Sequence, residues 1–406
     1  MEEGAARMDD SLMAGAPPRL EDQVTLANWR QAPYSRWAFQ HVRELIPTAA
    51  VAGGGNDVWA LEEDRQDLAA LAVPGEDGAA MTVSEVLAAS ETDGFLVLHR
   101  GRVVFEDYRR GMTQASPHIL FSVSKSVTGI LAGILVGRSQ LDPEAPVVDY
   151  LPEVAGSAYD GATLRHLLDM TTGIAFVEDY LATQGPIIEY RKATGWNPLA
   201  PGEAPGDLRS FLAGLRGRVR PHGEVFRYLS PNSDLLGWVI ERAAGRRFAA
   251  LLGEALWRPL GAEAEASITL DRLGASRAAG GLSTTLRDLG RLGQLLLQGG
   301  ARGGAAVVPA GWIADIRQNG DPALWAAGDM AQAFPGWPLR YRNQWYVLGE
   351  DEAPYLGLGI HGQMLFVDPG RALVAVKFSS QPEPVSDPKD RMAINACLAI
   401  GAALQG

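Results

Sequence analysis

The chain has 406 residues, 47% of them hydrophobic and 21% charged, which is typical of a folded protein with one large domain or two ordinary ones. Its 36 Lys and Arg residues against 48 Asp and Glu residues give a net charge of −12. An acidic chain without a basic cluster argues against nucleic acid and anionic membrane surfaces as partners. The single cysteine, Cys397, excludes an intrachain disulfide.

The beginning of the chain gives no targeting signal. Residues 1–10 lack the basic and apolar regions of a signal peptide. No apolar stretch reaches the ~18 residues that a membrane span needs. We therefore expect a soluble, cytoplasmic protein. Residues 1 to about 25 mix Gly, Ala, Pro and acidic residues, and we predict that this segment is loosely ordered.

The first predicted elements are the strands of a β-hairpin at residues 95–100 and 102–108, joined at Gly101. A helix that begins at Ser122 follows. Helical segments separated by Gly- and Pro-rich loops then continue to about residue 300. The predicted segments are 164–170, 207–215, 233–244, 249–257 and 285–298.

The last part of the chain again contains strands. Residues 363–378 predict a second hairpin that turns at 368–371, and a helix follows from about 388 to 404. Strands at both ends around a helical middle predict an α+β fold with an antiparallel sheet flanked by helices. We divide it into a loosely ordered segment and one domain, in which a sheet part surrounds a mainly helical part. The bounds are 1–25 for the segment, 26–406 for the domain, about 26–120 and 300–406 for the sheet part, and about 121–299 for the helical part.

Ser122 and Lys125 form an S-x-x-K motif at the start of an apolar helix. Residues three apart share a helix face, so the Ser122 hydroxyl and the Lys125 amine can meet. Burial and the positive end of the helix would lower the pKa of Lys125 and make it a base for the serine. The simpler interpretation is an N-cap serine followed by a surface lysine. The apolar run Gly129–Gly137 favours a buried helix instead.

Tyr228 lies just before another predicted helix. A tyrosine in this position is commonly a half-buried structural residue. The functional interpretation places its phenol within hydrogen-bond reach of Ser122 and Lys125. A cationic Lys125 would then lower the phenol pKa and let Tyr228 transfer protons.

The segment Gly357–Gly362 matches the G-x-G-x-x-G pattern but is followed by a strand-like run rather than a helix. This excludes the dinucleotide-binding interpretation. Glycines before a strand instead suit close backbone approach to a reacting carbonyl, with an N–H directed at the site. His361 lies inside this loop.

Other catalytic motifs are missing from the sequence. None of the six histidines has metal-ligand spacing to another, and neither H-E-x-x-H, G-x-S-x-G nor a Walker A sequence is present. We therefore expect no metal and no cofactor.

Together these motifs resemble those of the serine β-lactamase family, in its class C and family VIII esterase branch. Ser122–Lys125 matches the first motif, Tyr228 the tyrosine motif, and residues 280–285 the Gly-Gly-x-x-Ser-Thr segment. Within this branch the chain is most similar to the nylon-oligomer hydrolases, which cleave linear amides. The resemblance runs from about residue 28 to 385, and its segments are 28–39, 157–161, 178–180 and 359–363.

The resemblance implies a β-lactamase/penicillin-binding-protein-like fold and a role for each matching residue. Ser122 is the nucleophile, Lys125 the base and Tyr228 the proton relay to the leaving amine. The oxyanion hole uses the N–H groups of Ser122 and Ile360. The remaining residues are expected in the substrate pocket: Tyr180 on a mobile loop, Trp196 and Tyr346 as walls, and Arg191, Ala279 and His361.

Three departures from the family pattern bear on the substrate. The K-T-G lysine has no counterpart in Gly357–Ile360, which argues against strong β-lactamase activity. Asn232 follows Tyr228 by four residues rather than two and receives no catalytic role. Arg191 stands where nylon-oligomer hydrolases have an acid for the substrate amine, and Ala279 where they have an asparagine. Arg191 would repel an ammonium group.

The leading hypothesis is a serine hydrolase that cleaves short linear amides through an acyl-enzyme. The alternatives are a carboxylesterase of the family VIII type, a β-lactamase or D-alanyl carboxypeptidase, and a non-enzymatic sensor. The expected partner is a small amide or ester substrate, without nucleic acid or membrane, and a homodimer is left open.

Overall fold

The computed structural model describes residues 11–75, 79–337, 339–349 and 353–405. Residues 1–10 of the predicted loose segment lie outside the described residues. The rest of that segment forms turns and a short 3-10 helix, Leu20–Asp22, and the side chains of Leu12 and Val24 are buried. This part of the segment therefore packs against the body of the protein.

The main sheet has eight strands within the described residues. Seven of them are antiparallel to their neighbours, and the short edge strand Glu62–Glu63 runs parallel to the next. Both predicted hairpins are confirmed, and the sheet combines strands from both ends of the chain. In spatial order the strands are Leu339–Arg342, Trp345–Leu348, Tyr355–Gly359, Gln363–Asp368, Leu373–Ser379, Thr92–His99, Arg102–Tyr108 and Glu62–Glu63.

The central strands of this sheet are buried on both faces. On strand Thr92–His99, Leu96 and Leu98 pack into the core on the side of the central helices. Phe95 and Val97 point to the other face, toward the C-terminal helix. Successive side chains of a strand alternate between faces. Two covered faces therefore explain why these strands are continuous apolar runs.

A second, smaller sheet has four strands among the described residues, and their order in the sheet differs from their order in the sequence. It joins strands from residues 48–51 and 118–119 to two strands inside the part predicted to be helical. Strands only four and three residues long show too few alternations to be recognised from their pattern. Its strands in order are Thr48–Val51, Ala266–Thr269, Leu282–Thr284 and His118–Ile119. Two further pairs are Ala72–Pro74 with Ala80–Thr82, and Ala301–Arg302 with Ala305–Ala306.

Every predicted helix is present, with bounds that differ by a few residues. In the described parts of the chain no helix is both long and apolar enough to traverse a lipid bilayer. The segment predicted at 249–257 is an α-helix that continues into one π-helical turn, Gly253–Trp257. The α-helices are Tyr34–Ala38, Val42–Leu45, Val83–Ala89, Val123–Gly137, Val147–Tyr150, Leu164–Leu168, Pro186–Ala193, Leu208–Gly214, Ser230–Ala244, Phe248–Leu252, Arg258–Leu260, Leu286–Leu297, Ala310–Gln318, Pro322–Ala326 and Asp387–Ala403.

The helix Val123–Gly137, which we call the nucleophile helix, lies at the centre of the molecule. All its residues from 123 to 135 are buried. Its glycines permit close contacts: a Cβ at Gly129 would lie 2.2 Å from the carbonyl oxygen of Asn343, and one at Gly133 would lie 2.2 Å from the Trp312 ring. The Trp312 indole also donates a 3.0 Å hydrogen bond to the Gly129 carbonyl. These contacts hold the nucleophile helix close to Asn343 and Trp312.

Gly129→Ala is expected to destabilise the protein, because the new methyl group meets backbone that cannot rotate away. Overpacking of this kind costs about 1–3 kcal/mol. Gly311→Ala is the matched control, since it lies in helix Ala310–Gln318 with no atom near its added Cβ. The control should gain up to about 1 kcal/mol from helix propensity. Urea unfolding of both variants measures the difference, and equal stabilities would contradict the packing described.

Candidate active site

Ser122 is the N-cap residue of the nucleophile helix. Phe121 immediately before it has φ of +43°, a left-handed conformation that is rare for a bulky residue. The turn is held by hydrogen bonds from the Val123 amide to the Leu120 carbonyl and from the Leu120 amide to the Leu282 carbonyl. Backbone strain of this kind clusters at functional sites. The turn brings the Ser122 hydroxyl to the wall of a cavity.

Lys125 is buried and lies one helical turn from Ser122. Its Nζ atom is 2.7 Å from Ser122 Oγ and donates a 2.9 Å hydrogen bond to the Ala279 carbonyl. Burial lowers the pKa of Lys125 to about 7, and the nearby charges of Glu178 and Arg277 act in opposite directions on it. The predicted contact and the predicted direction of the pKa are thus confirmed. A lysine with this pKa is substantially neutral near pH 7 and can accept the serine proton.

Tyr228 lies beside this pair, with Lys125 Nζ 4.9 Å from the centre of its ring. Burial raises the pKa of Tyr228 above its usual value, while hydrogen bonds with Ser122 and Tyr346 act the other way. The expected lowering of the phenol pKa by Lys125 is therefore wrong. Loss of solvent outweighs an amine that is itself only partly charged. Tyr228 is a neutral phenol at neutral pH.

The strand Tyr355–Gly359 passes directly in front of Ser122. A Cβ at Gly359 would lie 2.5 Å from the Leu120 carbonyl oxygen and 3.1 Å from the Ser122 amide nitrogen. The glycine loop therefore lies against the backbone that carries Ser122, while its predicted approach to a reacting carbonyl stays a prediction. Ile360 follows and lines the cavity together with Ser122. Among the described residues we find no hydrogen-bond acceptor for the Ser122 or Ile360 amide. Both amides are therefore available to an oxyanion.

The cavity at Ser122 has a volume of about 540 Å³. Tyr180, expected on a mobile loop, and Tyr346, expected as a wall of the pocket, both line it. The Tyr180 hydroxyl donates a 2.6 Å hydrogen bond to Glu178, and Glu178 also accepts from the amide and hydroxyl of Ser230 at 2.5 Å. These bonds hold the Tyr180 loop against the helix that follows Tyr228.

A second, smaller cavity, which we call the arm, shares Ser122, Glu178, Tyr180 and Ile360 with the first as lining residues. It has a volume of about 30 Å³ and is lined by Arg191, Trp196 and Ala279, so these three predicted substrate residues do come together. Ala279 contributes a buried methyl group to the arm, and its carbonyl holds Lys125. Trp196 is held in place by a 3.1 Å hydrogen bond from its indole to Thr269.

His361 does not line the cavity at Ser122 or the arm, but it lines a neighbouring cavity of about 400 Å³ together with Arg30 and Arg191. Its role in substrate binding stays a prediction. Its ring is buried against Phe39 and Phe121 and hydrogen-bonds to the Gln381 carbonyl at 2.7 Å. His361 has a φ of +61°, a left-handed conformation that is uncommon for a residue other than glycine. Burial lowers the pKa of His361 to about 4, so the ring is neutral. Its position supports the glycine loop from behind.

A buried polar cluster next to the arm was not predicted from the sequence. Asp234 forms an ion pair with Arg277 and accepts hydrogen bonds from the Tyr190 hydroxyl at 2.5 Å and from the Ala279 amide at 2.8 Å. A single acid inside the apolar stretch of a helix is the only sequence signal for such a cluster. The bond to Ala279 links it to the carbonyl that holds Lys125. Asn232 is buried nearby and accepts from Thr172.

Metal chemistry has no evident site in the described parts of the chain. Within them, no three or more His, Cys, Asp or Glu side chains are grouped so that they could hold a metal ion. The candidate chemistry consists of a serine, a lysine and a tyrosine at a cavity.

Comparison with known proteins identifies the family. The family model described as Beta-lactamase matches residues 79–398, and the chain therefore belongs to the β-lactamase family. This confirms the α+β fold of the β-lactamase/penicillin-binding-protein type that the sequence motifs predicted.

Three individual relatives show which members of the family resemble this chain. The chain is 38% identical over 379 residues to 6-aminohexanoate-dimer hydrolase from Paenarthrobacter ureafaciens, covering 93% of this chain and 94% of the relative. The solved structure of "Putative 6-aminohexanoate-dimer hydrolase from Bacillus anthracis" is similar with a TM-score of 0.87 at 27% identity, covering 95% of this chain and 98% of the other. Esterase EstB from Burkholderia gladioli is 31% identical over 156 residues, 37% of this chain and 38% of the relative.

The pKa of Lys125 predicts how activity depends on pH. Protonated Lys125 cannot accept the Ser122 proton, so kcat/KM should rise with pH through about 7 and then level off. One unit below this pKa the rate should be about a tenth of the plateau. Glu178→Gln removes a carboxylate that raises the Lys125 pKa and should move the rising limb to lower pH. A pH profile that is flat between 5 and 9 would contradict this assignment.

Proposed function

We propose that the protein is a serine hydrolase that cleaves short linear amides through an acyl-enzyme. The observation that carries the proposal is the 2.7 Å contact between Ser122 Oγ and the buried Lys125 amine at the wall of a cavity. Identity over almost the whole chain to 6-aminohexanoate-dimer hydrolase supports a linear amide as the substrate class.

In the proposed acylation step, Ser122 Oγ attacks the amide carbonyl carbon and neutral Lys125 takes the hydroxyl proton. The carbonyl oxygen becomes an oxyanion, which the amides of Ser122 and Ile360 stabilise. As the C–N bond breaks, Tyr228 gives its proton to the leaving nitrogen and takes a proton from Lys125. The amine leaves neutral, and an ester joins the acyl group to Ser122.

Water completes the proposed cycle. It attacks the acyl-enzyme carbonyl and passes a proton to Lys125, which is neutral again at this stage. The same two amides hold the second oxyanion. Its collapse breaks the bond to Ser122 Oγ, which takes the proton back, and the free carboxylic acid leaves. The neutral phenol of Tyr228 suits a group that relays protons without storing charge.

Ester hydrolysis is a second candidate for the same site. Partial identity to Esterase EstB supports it. An ester has a better leaving group than an amide and does not require protonation of an amine. We favour amides because the amide-cleaving relative matches 93% of the chain and the esterase only 37%. Cleavage of β-lactams is less favoured, since Gly357–Ile360 lacks the lysine of the K-T-G motif.

Ser122→Ala is expected to abolish turnover while leaving the fold intact, because Ser122 supplies the proposed nucleophile. Loss of a catalytic nucleophile typically costs about a millionfold in turnover. Ser126→Ala is the matched control: its buried hydroxyl lies on the same helix but donates to the Gln344 carbonyl. It should keep activity within a few-fold. Labelling with a fluorophosphonate probe followed by mass spectrometry should mark Ser122, and labelling of another serine would overturn the proposal.

Tyr228→Phe is expected to reduce amide cleavage far more than cleavage of the matching nitrophenyl ester. The leaving amine needs a proton, whereas nitrophenolate leaves without one. A loss of about 10²–10⁴-fold is expected for the amide. Tyr341→Phe serves as the comparison, because its ring lies edge-on to Tyr228 with the ring centres 6.4 Å apart and its hydroxyl takes no part in the proposed proton transfer. It should affect both substrates equally, and equal losses in Tyr228→Phe would indicate a purely structural tyrosine.

A further inference from the structure

Three arginines surround the arm. Arg30, Arg191 and Arg277 line it together with Ser122 itself. Arg277 approaches from the polar cluster, Arg191 from helix Pro186–Ala193, and Arg30 from the N-terminal part of the chain. Such a concentration of positive charge beside a nucleophile is not needed for the chemistry proposed above.

Of these three, only Arg277 has a carboxylate partner. It pairs with Asp234 and hydrogen-bonds to Tyr190. Arg191 donates to the backbone carbonyl of Tyr180 at 3.1 Å, and Arg30 donates to the side-chain amide of Asn197. In the described parts of the chain no carboxylate lies within 4 Å of Arg30 or Arg191.

The one acid in the arm is already satisfied by neutral groups. Glu178 accepts from Tyr180 and from the amide and hydroxyl of Ser230. The Nε atom of Arg30 is buried and has no acceptor. Buried polar atoms normally have a partner, and this unpaired N–H belongs to a side chain that lines the arm.

The charges around the arm also favour a bound anion. Burial, together with the charges of Arg191 and Arg277, lowers the pKa of Arg30 to about 9, so its guanidinium group remains charged at neutral pH. Arginine side chains in proteins are in general always charged. Mutual repulsion of close like charges is relieved by an anion that binds between them. A volume of about 30 Å³ leaves space for one or two water-sized groups, which matches the two oxygens of a carboxylate.

We propose that Arg30 and Arg191, with Arg277 behind them, form a subsite for a carboxylate group of the substrate. The guanidinium fork presents paired N–H donors that match a carboxylate in two parallel hydrogen bonds. The inference rests on the proposed function and names its substrate class: short linear amides that carry a free carboxylate close to the scissile bond. An ammonium group in the same place is repelled.

Binding to the Ser122→Ala variant tests the subsite without turnover. The probes are the mono-butylamide of succinic acid and its neutral analogue 4-hydroxy-N-butylbutanamide, and N-hexanoyl-β-alanine and its analogue N-hexanoyl-3-aminopropanol. Calorimetry should show that at least one carboxylate binds tenfold or more tightly than its analogue. Raising NaCl from 50 to 300 mM should reduce this difference, because salt screens the charge. Equal affinities in both pairs would overturn the subsite, whatever the enzyme hydrolyses.

Kinetics on the same pairs test its role in catalysis. Wild-type kcat/KM should favour one carboxylate substrate at least tenfold over its neutral analogue. Arg30→Gln and Arg191→Gln should each reduce this preference, measured as the ratio of kcat/KM on the two members of a pair, at least fivefold. Arg43→Gln is the control, since Arg43 is 47% exposed and pairs with Glu265 outside the arm. It should leave the preference unchanged.

The outcomes separate the two proposals. A preference that persists in both arginine variants, or hydrolysis of neutral and charged amides at equal rates, would overturn the carboxylate subsite and leave the proposed amidase intact. Carboxylate binding without hydrolysis of any of these amides would support the subsite and contradict the proposed function. Arg30→Lys keeps the charge but not the fork, and partial retention of the preference would support bidentate recognition.

Discussion

The dehydration of Lys125 is the constraint on which the rest of the site depends. An amine loses its proton near neutral pH only where water is excluded and opposite charges are kept from pairing with it. The nucleophile helix meets the first condition, because it is buried along almost its whole length and its glycines let neighbouring segments approach closely. The second condition is met by donors that occupy the nearby acids: Ser230 and Tyr180 for Glu178, and Arg277 for Asp234. Both carboxylates stay close enough to act on Lys125 without forming an ion pair with it.

The ion pair of Asp234 and Arg277 matters for the position of the backbone near Lys125 more than for the free energy of unfolding. Pairs of this kind gain little net stability, because removing two charges from water costs about as much as their attraction returns. Here Asp234 also binds the amide of Ala279, whose carbonyl accepts from Lys125. The pair therefore helps to fix the backbone carbonyl that accepts from Lys125, the proposed base. Because Asp234 is linked through Ala279 to Lys125, we expect loss of the ion pair to change the reaction rate more than the free energy of folding.

The sequence was a good guide to some parts of this molecule for identifiable physical reasons. The Ser122–Lys125 contact follows from helix periodicity, and the two hairpins follow from apolar runs around glycine turns. The short strands at 266–284 were not predicted, because their pairing depends on residues far away in the chain. His361 was assigned to the pocket from its neighbours in sequence, and its ring instead packs against Phe39 and Phe121 while lining a cavity beside the arm. The Tyr228 pKa was misjudged because burial is set by packing, which local sequence does not reveal. Arg30 was not identified as a site residue for the same reason.

Residues before the region matched by the family model contribute to the walls around the arm. The family model begins at residue 79, yet Trp29 packs on Phe121 and Trp196 beside the arm, and its indole donates to the Trp196 carbonyl. Arg30 enters the arm from this same outer segment. The three groups of the proposed mechanism thus lie in the part of the chain that the family model matches, while Arg30 lies before it. Under the proposals made above, a change in this earlier segment would alter which substrates bind without replacing a residue that reacts. Substrate selectivity and catalytic chemistry would then depend on different parts of the chain.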